Sequence, residues 1–192
     1  MKPLPSNVNL GLFAAFAVLM VATRFHHFGD ALHVPDASMA LFFLGGLYLR
    51  RHWQFAAFIA LAVAIDWVAI EHAGVSDFCV TPAYSFLLPA YGVLWYAGRL
   101  QANRFDTSWR SLLSASGLAL VASTLSFAMS NGAFYWLGGR YANPHFAEYV
   151  ARALQWGPLF VRTTMAYVVV ALAVHAIAAS ALRLRATRAT HH

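Results

Sequence analysis

Six stretches of the chain are apolar at nearly every position: residues 10–23, 37–49, 55–70, 84–97, 112–129 and 159–182. None alternates apolar with polar residues as a membrane β-strand does, so the pattern predicts helices. A helix needs roughly 20 residues to cross a hydrocarbon core of about 30 Å. Several runs fall short and require extension by flanking aromatics, snorkelling arginines or polar turns buried in protein. The second is the weakest, because Pro35 limits its start and Gly45 and Gly46 interrupt it. Segment 130–158 reads as the longest connection, with Gly138-Gly139 and Asn143-Pro144 as turn signals. The first run follows a lysine and two prolines and lacks a clear small-residue cleavage site, so it is expected to be a span and not a removable signal. The expectation is an all-α polytopic membrane protein, a six-transmembrane-helix bundle. It forms a single transmembrane domain over residues 1–190, with His191 and His192 read as an affinity-tag remnant.

Composition sharpens this picture. Of 192 residues, 60% are hydrophobic and 10% are charged, and the mean hydropathy is +0.59. Soluble domains carry about 25% charge, and disordered chains are poor in aromatics, so both classes are excluded. The net charge of +6 does not point to nucleic acid, because the basic residues sit at the ends of apolar runs and form no patch. Alternating the loops between two sides separates the charges. One side receives Lys2, Arg50, Arg51, Arg99, Arg104, Arg110, Arg183, Arg185 and Arg188 against Asp106 alone. The other receives Arg24, Arg140, Arg152 and Arg162 against Asp30, Asp36, Glu71, Asp77 and Glu148. The positive-inside bias then predicts both termini in the cytoplasm, which an even number of spans satisfies.

The outward side holds the candidate chemistry. Asp66 falls inside the third run, near its outer end. A carboxylate there is costly unless it faces a partner, a cavity or the bundle interior. It reads equally as the ion-pair partner of an arginine such as Arg24 or Arg152, or as an acceptor for a polar ligand. Cys79 is the only cysteine, so neither an internal disulfide nor a multi-thiolate zinc site is available. It reads either as a small buried hydrophobe or, in its loop beside polar residues, as an axial ligand to a metal held by a macrocycle, haem iron or corrinoid cobalt. His26, His27, His33, His72 and His145 compete as ligands, but none shows the i, i+4 spacing of a helical metal pair. His175, inside the last run, reads as a hydrogen-bonded bundle residue. Hydrolase and phosphate-loop motifs are absent.

With these features the chain resembles the BtuM family, small bacterial membrane proteins regarded as solitary substrate-binding S-components of energy-coupling-factor transporters for cobalamin (vitamin B12). The resemblance covers essentially the whole chain: six short spans, both ends inside, and the outer loop Asp77-Phe78-Cys79-Val80-Thr81-Pro82. It implies an S-component-like fold in the bacterial inner membrane and uptake of cobalamin. It assigns Cys79 as the thiolate ligand of cobalt, and Asp66, Tyr84 and Arg152 as contacts to the corrinoid. Gly11 and Ala15 loosely match the small residues that an S-component presents to the partner of its ATPase module, so action with such a module and action alone both stand. An amide-rimmed corrinoid calls for a wide, aromatic-walled pocket, with Tyr84, Tyr91, Trp95, Tyr135 and Trp136 as the expected walls. Thiolate donation to cobalt should displace the vitamin's own dimethylbenzimidazole and weaken the bond to the upper ligand, so bound cyanocobalamin is expected to lose cyanide.

Two other classes remain at this stage. A membrane haem or quinone oxidoreductase would use Cys79 or the outward histidines as ligands. An assembly subunit without small-molecule ligand would carry its aromatics only as an interfacial belt.

Overall fold

The structure is a computed structural model that describes residues 4–24 and 35–189. Among these the chain forms α1 (Ser6–Arg24), α2 (Ser38–Tyr48), α3 (His52–Ala73), α4 (Leu87–Ala102), α5 (Trp109–Leu137) and α6 (Phe146–Ala189), with 3-10 turns at Asp77–Cys79 and Pro82–Phe86 and no strand. α1, α3, α5 and α6 are long and apolar enough to cross a membrane.

The weakest run of the sequence becomes the central element. α2 has 11 residues, about 16 Å of helix, half of a hydrocarbon core. Every residue of it except Met39 is buried. A helix apolar on all sides belongs inside a bundle, and Gly45 and Gly46 are the reason it fits there. They do not interrupt α2; they admit α4. A Cβ on Gly46 would land on the backbone carbonyl of Trp95, and one on Gly98 of α4 would land on that of Phe43. Such backbone contact through small residues is how membrane helices pack closely. Aromatic rings flank the seam: Phe42 stacks on Tyr91 at 4.2 Å, and Phe55 and Phe58 pack against Trp95 at 5.6 and 6.3 Å.

Contacts sort the helix ends into two sets. At one end Asn9 donates to the Leu49 carbonyl (3.4 Å), Arg99 to that of Arg50 (2.7 Å) and Arg183 to the Thr107 hydroxyl (2.5 Å). At the other, Arg24 reaches Ser38 (3.1 Å), and Tyr135 donates to the His145 carbonyl (3.1 Å) just before α6. Successive helices therefore run in alternate directions.

The expected long connection 130–158 is corrected. α5 continues to Leu137 and α6 begins at Phe146, which leaves only 138–145 between them. The turn signals act where they stand: Gly138 caps α5, Gly139 takes φ +68°, and Pro144 precedes α6. The flanking residues are helical because α5 and α6 bury faces against each other, with Phe127 on Phe160 at 5.5 Å and Tyr135 on Tyr149 at 5.7 Å. Pro158 lies inside α6, where it withholds an N–H from the Leu154 carbonyl.

Candidate functional site

Arg24 organises the end of the bundle opposite the basic one. It closes α1, where the helix dipole favours a cation. Its Nε and Nη2 clasp Asp66 Oδ1 and Oδ2, both at 2.6 Å. Its Nη1 donates to the Tyr91 hydroxyl (2.9 Å), Ser38 Oγ (3.1 Å) and Asp36 Oδ2 (3.5 Å). Asp36 is held in turn by Ser38, whose N–H and hydroxyl donate to Oδ1 at 2.8 and 2.6 Å. The Tyr84 hydroxyl adds a third bond to Asp66, at 2.6 Å to Oδ2. A carboxylate has about four lone-pair sites, so among the described residues Asp66 keeps one on Oδ1. Of its two expected arginine partners the structure selects Arg24; Arg152 lies over the Tyr141 ring at 4.8 Å.

Beside this network is a cavity of about 340 Å³. Cys79, Asp66, Tyr84 and Arg152 all line it, together with Arg24. These residues come from separate elements: α1, α3, the two turns before α4, and the first turns of α6. Cys79 is exposed and ends the 3-10 turn Asp77–Cys79, which Ser76 caps by accepting from the Phe78 N–H. Arg140 pins the turn to the α5–α6 connection. Its Nε donates to the Phe78 carbonyl at 3.0 Å, and its guanidinium lies over the Phe78 ring at 5.1 Å. Partial burial pushes the Cys79 thiol above its ordinary pKa, the Asp66 charge adds to this, and Arg140 opposes it. At neutral pH the thiol is protonated, and a metal must displace that proton to bind.

The walls are not the expected ones. Tyr84 faces the cavity, but Tyr91 and Trp95 are buried in the core around α2 and α4. Tyr135 and Trp136 join Tyr149 in a ring cluster on the α5–α6 hairpin. The other rings that line the cavity are Phe78, Phe127, Phe134 and Phe160. A signal for two of them was present: Phe127, Ser130, Asn131 and Phe134 stand at i, i+3, i+4 and i+7, one face of a helix. Reading 130–158 as a connection concealed it. Asn131 on that face carries a buried side-chain oxygen with no partner among the described residues. Arg24 and Arg140 entered the sequence reading mainly as loop charges.

The described histidines His72, His145 and His175 do not line this cavity. His72 packs on Trp67 at 5.6 Å and His145 lies 3.7 Å from Glu148. His175 packs against Tyr48 and Phe105 rings, at 5.6 and 5.2 Å. His26, His27 and His33, with Asp30, lie outside the described residues. Among the described residues no three of His, Cys, Asp and Glu are grouped to hold a bare metal ion. No protein-family model and no curated protein matches the chain.

Proposed function

We propose that the chain is a cobalamin-binding membrane transporter that takes the Cys79 thiolate as an axial ligand of cobalt. In this reading α2 and α4 complete six crossings, both termini are cytoplasmic, and the Cys79 cavity faces outward from a bacterial inner membrane. The observation that carries it is the meeting of the single cysteine with Asp66, Tyr84 and Arg152 around one aromatic-walled cavity. A lone thiolate holds a metal poorly, since bare-ion sites need three or four protein ligands. It suffices where a corrin ring supplies four equatorial nitrogens. A corrinoid is larger than a cavity of about 340 Å³, so its cobalt-bearing lower face seats there and its amide arms stand at the mouth, beside exposed Cys79. The free lone pair of Asp66 and the unpartnered oxygen of Asn131 suit amide N–H donors. Donation from sulfur displaces dimethylbenzimidazole and loosens the upper ligand. Cyanide then leaves with the Co–C electron pair, so cobalt stays Co(III) and no reductant enters. Uptake proceeds either with an energy-coupling-factor ATPase module or alone.

The test is absorption spectroscopy of cyanocobalamin bound to the purified protein and to Cys79→Ser. The parent should show a base-off, thiolate-ligated spectrum that shifts with loss of cyanide, and the serine variant should keep the spectrum of the intact vitamin. Identical spectra would eliminate ligation and cyanide loss together, and a Soret band on the purified protein would favour the haem reading. Ligation also has a pH signature. Because binding displaces the thiol proton, apparent affinity should rise about tenfold per pH unit below the raised thiol pKa, then level off above it. Titrations of the serine variant should be flat over the same range.

A further inference from the structure

At the basic end of the bundle, away from Cys79, a second cavity of about 380 Å³ lies between the start of α1, the α2–α3 corner and the end of α4. Arg50, Arg51 and Arg99 line it with Asn103 and Tyr48, and among the described residues no carboxylate does. The corner is an unusual one. Arg50 adopts φ +69°, a left-handed conformation that an arginine enters only when its surroundings impose it. There its carbonyl accepts from Arg99 Nη1 at 2.7 Å and its guanidinium donates to the Asn103 side-chain oxygen. Arg51 is exposed, and its side chain has no hydrogen-bond or ion-pair partner among the described residues. Tyr48 supplies an independent observation. It is only 8% exposed, and its hydroxyl is buried with no partner among the described residues. A buried hydroxyl left unpaired is costly, and this one belongs to a residue that lines the cavity with three arginines.

We propose that this cavity binds a phosphate group, the anionic head of a phosphate ester, through Arg50, Arg51, Arg99 and the Tyr48 hydroxyl. Arginine forks match the oxygens of phosphate bidentately, and a tetrahedral anion has an oxygen to spare for the tyrosine. Trp53, Tyr96 and Leu100 are exposed at the same end, in keeping with a lipid-facing belt. The phosphate therefore belongs either to an anionic phospholipid or to a soluble ester, and the experiment separates the two.

Arg51→Gln and Tyr48→Phe are the variants, since neither removed group has a partner among the described residues. The detergent-purified chain is titrated with phosphatidylglycerol and with phosphatidylcholine, and adducts are counted by native mass spectrometry. In parallel its melting temperature is followed with inorganic phosphate against chloride at matched ionic strength. Phosphatidylglycerol should be retained about tenfold more strongly than phosphatidylcholine, and each variant should lose about fivefold to tenfold of that preference. Stabilisation by inorganic phosphate, absent in both variants, would support the site and make a soluble ester its ligand. Binding of neither probe, or variants that bind as the parent does, would overturn the proposal. Both variants should melt as the parent does without ligand, and loss of binding in a variant that also melts earlier would not count for it, leaving the other to decide.

Discussion

Replacing Arg24 with glutamine is expected to destabilise the protein by about 3–5 kcal/mol, the cost of leaving buried charge without its partner. Arg24 is 8% exposed and answers two carboxylates, Asp36 and Asp66, whose side chains are 15% and 21% exposed. Glutamine has neither the charge nor the fork that meets both Asp66 oxygens at 2.6 Å. Arg24→Lys should fall between, because one ammonium cannot clasp Asp66 and also reach Ser38 and Tyr91. The pairing itself is isolated by a double-mutant cycle. Arg24→Gln with Asp66→Asn should cost about 1–3 kcal/mol less than the sum of the single losses, measured by unfolding in mixed micelles. Strict additivity of the two would mean that Arg24 and Asp66 do not act as a pair. Arg24→Gln also frees Asp66, the hydrogen-bond partner of Tyr84, from its clasp, so ligand binding at the Cys79 cavity should weaken along with stability.

Gly98→Ala and Gly46→Ala should each cost about 3 kcal/mol or more, at or above the ordinary range of about 1–3 kcal/mol for overpacking. The obstacle in each case is backbone. At Gly98 it is the carbonyl of Phe43, and at Gly46 the carbonyl of Trp95. A side chain can change rotamer, but a helical carbonyl moves only if α2 and α4 separate, and that opens the whole aromatic seam. Gly117→Ala is the matched control. Gly117 is an exposed position of α5 with open space around it, so alanine there should gain up to about 1 kcal/mol from helix propensity. Thermal melts followed by circular dichroism give all three values. Equal melting of Gly98→Ala and Gly117→Ala would mean that the two backbones are not in contact.

The helical class of the fold was legible because it depends on local pattern. Continuous apolar runs without alternation admit only helices, and each run holds a helix in the structure. Boundaries were less legible where residues of one helix serve a neighbouring helix and not lipid. The stretch from Ser130 to Leu137 and the first turns of α6 are too polar for a hydropathy reading, yet Tyr135 donates to Glu148 at 3.0 Å and packs on Tyr149. Gly45-Gly46 was misleading for the opposite reason. Glycine usually weakens a helix by about 1 kcal/mol, but here its missing side chain is what lets α4 approach.

Asp66 and Cys79 stood out in the sequence because each is out of place: a carboxylate in an apolar run, and one thiol in a polar loop. Neither residue names its neighbours. The choice of Arg24 over Arg152 for Asp66 follows from where α1 ends against α3, across 42 positions of chain. Phe127 and Phe134 were preferred over Tyr91 and Trp95 as cavity walls by the rotation of α5 and α4 about their axes.

By itself the sequence determined that this chain is built of apolar helices, that its charge is concentrated at their ends, and that its one thiol lies between two of them. Those properties follow from each residue's own preference for water or hydrocarbon, which needs no knowledge of the partner. Only the tertiary structure decided that the shortest helix lies at the centre, which arginine neutralises the stranded carboxylate, and which rings surround the cysteine's cavity. These are choices among helix faces of nearly equal apolarity. They are made by backbone contact, ion pairing and ring packing between segments far apart in the chain.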